Sequence, residues 1–133
     1  MDGERSTVLV ADDEPFVRQL VRRMLDGEYD VIEAQNGSEA IAIARTHKLD
    51  LILMDMMMPK MDGLSACYTI KQDAATKEIP VVMLTAITHE LNKRVSENVM
   101  GASGYITKPF TAQTLLSTIK PLLSPDKTEE TPV

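Results

Sequence analysis

The sequence predicts a single α/β domain built around a parallel β-sheet. Short apolar segments rich in β-branched residues alternate five times with helix-length amphipathic segments, the pattern of repeated strand–helix units. The chain has 133 residues, a length at which one domain with one hydrophobic core is expected. A single domain of this size leaves room for one functional site.

Apolar periodicity and turn residues predict the first two strand–helix units. Thr7–Ala11 is the first strand, and Pro15 suits the first turn of the helix that follows. A buried stripe on that helix is predicted from Phe16, Val17, Leu20, Val21, Met24 and Leu25. Residues 29–34 are predicted to form the second strand, and Asn36-Gly37 the turn into a small-residue helix at 38–47.

The remaining units follow the same pattern. Residues 49–54 are apolar except for Asp50, which predicts a central strand covered by helices on both faces. A third helix at 64–72, a fourth strand at 80–84 and a fourth helix ended by Gly101 come next. A short fifth strand at 104–107 precedes a last helix that runs from a Thr111 cap to Leu123. Residues 124–133 are predicted to be a flexible acidic tail.

The composition excludes several classes of function. The chain holds 20 acidic and 14 basic residues, whereas a nucleic-acid surface needs clustered Lys and Arg, so we expect protein partners and no direct nucleic-acid contact. No apolar segment approaches the ~20 residues of a membrane helix, so we expect no membrane association. Because the lone cysteine, Cys67, cannot close an intrachain disulfide, the expected location is the cytoplasm.

Polar residues collect where the predicted strands end, which is where ligands bind in an open parallel sheet. Asp12 and Asp13 follow the first strand, Asp55 the third, Thr85 the fourth and Lys108 the fifth. Three carboxylates at one edge would repel one another without a cation. An all-oxygen ligand set suits a hard divalent ion, Mg²⁺ or Mn²⁺.

Asp55 is the most informative of these acids. Asp12 and Asp13 could simply begin a helix, where capping and the helix dipole favour acids. Asp55 instead ends an apolar strand, where an unpaired carboxylate is costly. Together with the ammonium of Lys108 and the hydroxyl of Thr85, the set matches phosphoryl transfer to a carboxylate.

At these residues the sequence resembles the receiver domain of two-component response regulators. The resemblance covers residues 8–123 and rests on VLVADDEP at 8–15, LILMDMMMPKMDG at 51–63, VVMLTA at 81–86 and GYITKPF at 104–110. It implies a flavodoxin-like doubly wound fold with a five-stranded parallel sheet of order 2-1-3-4-5, formed by residues 1–123.

The resemblance also implies how the acids act. Asp55 would accept a phosphoryl group from a histidine kinase or a phosphotransfer protein. Asp13 would be a direct Mg²⁺ ligand and Asp12 would act mainly through water, while Asp55 and the backbone carbonyl of Met57 would complete the coordination.

A switch is implied on the neighbouring strands. Thr85 and Lys108 would bind the phosphoryl oxygens, and the Lys108-Pro109 peptide bond would be cis. Tyr105 would turn inward as Thr85 moves, reshaping the face of the fourth helix, fifth strand and last helix for an effector protein. A half-buried amphipathic side chain is the alternative for Tyr105.

Two apolar residues bear on the lifetime of the phosphoryl group. Met57 and Ile87 lie two residues after Asp55 and Thr85, at positions that tune this lifetime in the family. Because neither orients water, the resemblance predicts slow self-hydrolysis. The alternative is that Met57 simply packs on its neighbours.

Other functions stay open at this point. A phosphorylation-independent pseudo-receiver would typically lose an acid, the lysine or the threonine, and all are present. A phosphatase of the haloacid dehalogenase type would place an acid at position 57, where this chain has methionine. We expect a stand-alone receiver, monomeric or weakly dimeric after phosphorylation, and no enzyme beyond self-phosphorylation and slow self-dephosphorylation. A receiver excised from a hybrid kinase or longer regulator is the alternative.

Overall fold

The computed structural model describes residues 5–86 and 101–123. Its strands are β1 (Thr7–Ala11), β2 (Asp30–Ala34), β3 (Leu51–Asp55), β4 (Val81–Ala86) and β5 (Gly104–Lys108). Its helices are α1 (Pro15–Leu25), α2 (Gly37–Thr46), α3 (Gly63–Gln72) and a last helix (Ala112–Leu123). The predicted fourth helix, Ile87 and the predicted tail lie outside the described residues. Among the described helices, none is long and apolar enough to cross a lipid bilayer.

All the strands pair in parallel, in the order β2-β1-β3-β4-β5. Side chains alternate between two hydrophobic layers on the faces of this sheet. The layer packed with α2 and α3 contains Leu9, Ala11, Ile52, Met54, Val81 and Met83. The layer packed with α1 and the last helix contains Val8, Val10, Leu51, Leu53, Val82, Leu84 and Ile106. The predicted doubly wound fold is therefore confirmed.

α1 buries a narrower stripe than the sequence predicts. Its buried residues are Val17, Val21 and Leu25, each four positions after the one before. Phe16 precedes this row by one residue, which turns its side chain about 100° around the helix axis. The prediction was wrong for Phe16, because its side chain is 70% exposed.

Side-chain caps fix where the other helices begin. Asn36 accepts a hydrogen bond from the backbone N–H of Glu39 at 2.8 Å, and Asp62 accepts one from Ser65 at 2.8 Å. At the last helix, the predicted cap Thr111 accepts a hydrogen bond from the N–H of Thr114 at 3.1 Å. These bonds satisfy N–H groups that have no partner within the helix.

Gly63 brings the start of α3 against the end of β3. A Cβ at this position would overlap the backbone carbonyl oxygen of Asp55. The N–H of Gly63 also donates to the carbonyl of Met56 at 3.0 Å. This glycine therefore packs the start of α3 directly against the backbone of Asp55.

Candidate functional site

The carboxyl ends of β1 and β3 bring three acids together. Ala11 pairs with Met54 in the sheet, so Asp12 and Asp55 follow neighbouring positions on adjacent strands. The cluster of Asp12, Asp13 and Asp55 has one carboxylate oxygen from each residue within 4.8 Å of the others. Asp12 and Asp55 are buried, and Asp13 is exposed. The sequence predicts these acids; the structure adds that two are buried and one faces solvent.

Lys108 reaches this cluster from β5, across the end of β4. Its Nζ lies 2.9 Å from Oδ2 of Asp12 and donates a hydrogen bond to Oδ1 of Asp55 at 3.2 Å. The peptide bond between Lys108 and Pro109 is cis. One ammonium is thus shared between two buried carboxylates.

The charges in the site perturb one another. Burial raises the pKa of Asp55 to about 6, and the charge of Asp12 acts in the same direction. Lys108 and the backbone N–H of Met57 oppose this rise without cancelling it. Burial acts to lower the pKa of Lys108, but its contacts with Asp12 and Asp55 outweigh that effect and the net pKa is raised. The ammonium therefore remains charged, yet it does not fully offset the acids.

The donor set fits a hard divalent cation. All the ligand atoms are carboxylate oxygens, which Mg²⁺ and Mn²⁺ prefer, and the exposed Asp13 leaves an approach from solvent. Asp55, a buried acid with a raised pKa, would be stabilised in its ionised form by added positive charge. Met57 lies beside the cluster with its side chain 75% exposed, so it contributes little to the core. The coordinating role of its carbonyl stays a prediction.

Thr85 and Tyr105 lie on the strands that complete this edge. Thr85 is 3% exposed, and its hydroxyl has no hydrogen-bond partner in the described part of the chain. An unsatisfied buried hydroxyl costs about 1–3 kcal/mol, which makes it a ready donor for an incoming ligand. Tyr105 is half-buried on β5, opposite Met83 of β4, and packs against the α2–α3 layer.

Sequence reasoning missed an apolar groove beside Lys108. The groove has a volume of about 280 Å³, and its lining residues are Glu14, Phe16, Val17, Leu20, Lys108, Pro109 and Phe110. The signal for it was the pair Phe16 and Leu20, four residues apart and one position off the buried row of α1. A larger groove of about 540 Å³ lies at the other end of the strands, where β3 and β4 begin, next to Leu49 and Pro80. It is therefore remote from the cluster of Asp12, Asp13 and Asp55.

Comparison with known proteins indicates one family. The family model described as response regulator receiver domain matches residues 8–120. The chain is 43% identical to the transcriptional regulatory protein ResD of Bacillus subtilis (strain 168), covering 92% of this chain and 50% of ResD. It is 36% identical to histidine kinase P4 of Formosa agariphila, covering 92% of this chain and 9% of that protein.

A solved structure is also similar. The chemotaxis response regulator CheY4 of Vibrio cholerae matches with a TM-score of 0.84 and 35% identity, covering 90% of this chain and 100% of that one. The chain spans about half the length of the curated regulators it matches.

Proposed function

The chain belongs to the family of response regulator receiver domains, which act in two-component signalling, and we propose that it accepts a phosphoryl group on Asp55. The reaction requires Mg²⁺ or Mn²⁺, and the donor is a histidine kinase or a phosphotransfer protein. The observation that supports this proposal is the convergence of Asp55, Asp12, Asp13 and Lys108 at one edge of the sheet.

The proposed transfer needs an ionised carboxylate next to positive charge. An oxygen of Asp55 attacks the phosphorus of a phosphohistidine, the P–N bond breaks, and the departing imidazole takes a proton from solvent. A pKa of about 6 leaves Asp55 largely ionised at neutral pH. Lys108, 3.2 Å from Asp55, offsets charge on the incoming group. A bound Mg²⁺ supplies further positive charge to the transferring oxygens.

The proposed conformational switch begins at the hydroxyl of Thr85. With no partner in the described residues, it is available to donate to a phosphoryl oxygen on Asp55. Movement of Thr85 changes the packing on β4 and β5, and Tyr105 on β5 responds by turning inward. The surface of β5 and the last helix, where Gln113, Thr114 and Ser117 are exposed, is the part that an effector protein reads.

The donor docks at the groove formed by Phe16 and its neighbours. Phe16 is 70% exposed and shares this groove with Leu20 and Phe110, and a contiguous apolar surface of this kind is typical of a protein-binding site. Lys108 belongs both to this groove and to the site, so a donor protein seated on Phe16 comes close to Asp55. Replacing Phe16 by Ala should slow transfer from a donor protein and leave self-phosphorylation by acetyl phosphate unchanged.

We also propose that the chain turns over no external substrate, since position 57 offers no acid for hydrolysis. The absence of direct nucleic-acid contact and the cytoplasmic location stay predictions. The prediction of no nucleic-acid contact concerns this chain alone and does not extend to its relatives, since ResD, for example, is a transcriptional regulatory protein.

Intact-protein mass spectrometry tests the proposal. Incubation with acetyl phosphate and Mg²⁺ should add one phosphoryl group to the wild type and none to Asp55→Asn or to the wild type in EDTA. Beryllium fluoride with Mg²⁺ should shift the ring NMR signals of Tyr105 in the wild type only. If the wild type gains no phosphoryl group and does not bind the mimic, the pseudo-receiver is the better account.

A further inference from the structure

Asp12 is hydrogen-bonded at its N–H, its carbonyl and Oδ1, while Oδ2 makes an ion pair but no hydrogen bond among the described residues. Its N–H donates to the carbonyl of Ala34 at 3.1 Å, and Oδ1 accepts from the N–H of Glu14 at 2.9 Å. Its Oδ2 lies 2.9 Å from Nζ of Lys108. The backbone carbonyl accepts a hydrogen bond from Nη1 of Arg18 at 2.8 Å. Arg18 therefore fixes the peptide bond that leads from Asp12 into Asp13.

Arg18 is itself tightly held. Its side chain is 12% exposed, and its Nε donates to Oε1 of Glu33 at 2.9 Å. The other oxygen of Glu33 accepts from Nε of Arg22 at 2.9 Å. Because a guanidinium is planar and presents its donors in a fixed fork, binding Glu33 through one edge aims another N–H at the Asp12 carbonyl. Lysine at this position could not make both bonds with the same geometry.

Asp13 depends on this peptide bond for its direction. Among the described residues, its carboxylate makes no hydrogen bond or ion pair. No partner among the described residues fixes its rotamer, so the backbone sets the direction in which the side chain leaves the chain, and that backbone begins at the carbonyl held by Arg18.

We propose that Arg18 is a positioning residue for the divalent cation: by holding the Asp12 carbonyl, it directs the carboxylate of Asp13 toward the other acids. This inference rests on the proposed function, which places Mg²⁺ at these acids. Groups that hold metal ligands in place typically change affinity by about 10–100-fold. Arg18 acts through one backbone carbonyl, so we expect a smaller effect of about 3–10-fold.

Arg22 provides the matched control. It binds the same glutamate and also a backbone carbonyl, that of Val31 at 3.2 Å, but makes no hydrogen bond to Asp12. Arg18→Lys and Arg22→Lys each keep their positive charge and each disturb one bond to Glu33. The two variants differ in whether the Asp12 carbonyl loses its donor.

The experiment measures Mg²⁺ affinity by isothermal titration calorimetry, with urea unfolding of each variant in EDTA alongside. Arg18→Lys should weaken Mg²⁺ binding about 3–10-fold, while Arg22→Lys should leave it within experimental error. Unchanged affinity in Arg18→Lys, or an equal loss in both variants, would overturn the inference while leaving the proposed function intact. A wild type that binds no Mg²⁺ would overturn both.

A second variant covers the case in which Arg18→Lys does not fold. Arg18→Gln removes a positive charge near three acids, which by itself should tighten Mg²⁺ binding. Weaker binding in this variant would therefore support positioning despite the favourable charge change. Tighter binding would show that Arg18 acts only as a repelling charge, and the inference would fail.

Discussion

Asp55→Asn should stabilise the metal-free protein at neutral pH. Burial, followed by the charge of Asp12, raises the pKa of Asp55 from its ordinary 3.8 to about 6. One pKa unit corresponds to about 1.4 kcal/mol, so ionised Asp55 costs the folded state about 3 kcal/mol, which screening by solvent reduces to about 2. Asparagine keeps the shape of the side chain and removes the charge.

The sign of the pH dependence follows from proton binding. Between about pH 4 and pH 6 the folded wild type holds more protons at Asp55 than the unfolded chain does. The contribution of Asp55 to stability therefore falls as the pH rises through this range. The advantage of the variant should be absent near pH 4 and complete above about pH 7.

Urea unfolding in EDTA, followed by circular dichroism, measures this difference. At neutral pH the variant should unfold at a higher urea concentration, and its Tm should rise by about 5–10 °C. Asp13→Asn, which removes the same charge from an exposed side chain, is the control and should change stability much less. An Asp55→Asn protein that is no more stable than the wild type at neutral pH, or whose advantage is independent of pH, would refute the reasoning.

Three further predictions concern single residues around Asp55. Thr85→Val should raise the free energy of unfolding by about 1–3 kcal/mol, because it removes a buried hydroxyl that has no partner in the described residues, but should abolish the NMR shift of Tyr105 on phosphorylation. Gly63→Ala should lower the free energy of unfolding by about 2–3 kcal/mol, since its Cβ would overlap the Asp55 carbonyl; a loss as small as that of a surface substitution would contradict this. Met57→Asn should shorten the half-life of the acyl phosphate, followed by loss of phosphoryl mass after removal of the donor, and an unchanged or longer half-life would count against shielding by Met57.

The fold could be predicted because the size and the periodicity of the apolar side chains indicate which elements pack in its layers. The uninterrupted apolar segment around Ile52 predicts a strand covered on both faces, and the small residues Ala40 and Ala44 predict a closely packed helix; all three are buried. The same periodicity failed at Phe16, because a set of apolar residues wider than one helix face cannot all point inward. A pattern of this kind indicates that a helix is amphipathic, but not which flanking residue stays in solvent.

The membership of the site was predictable, whereas its electrostatics was not. Parallel strands end at one side of the sheet, so acids at the ends of β1 and β3 had to meet there. The way in which the ammonium of Lys108 is shared between Asp12 and Asp55 depends on distances of about 3 Å, which the spacing of residues along the sequence does not determine. Arg18 was missed for a further reason: its partner is a backbone carbonyl, which every residue possesses and which carries no sequence signal.

The rigidity of Asp12 explains why the site stays poised for a cation. A pair of repelling carboxylates would normally relax by rotating apart, but Asp12 is hydrogen-bonded at its N–H, its carbonyl and Oδ1, and its Oδ2 is paired with the ammonium of Lys108. Asp55 is buried against it, and their only shared cation among the described residues is Lys108. Two sources of relief remain, a proton or a metal ion, and at neutral pH a group with a pKa of about 6 is mostly unprotonated. The bonds that hold Asp12 therefore prevent it from moving away from Asp55. Repulsion between the two carboxylates lowers the stability of the folded protein, and a bound divalent cation would remove this effect.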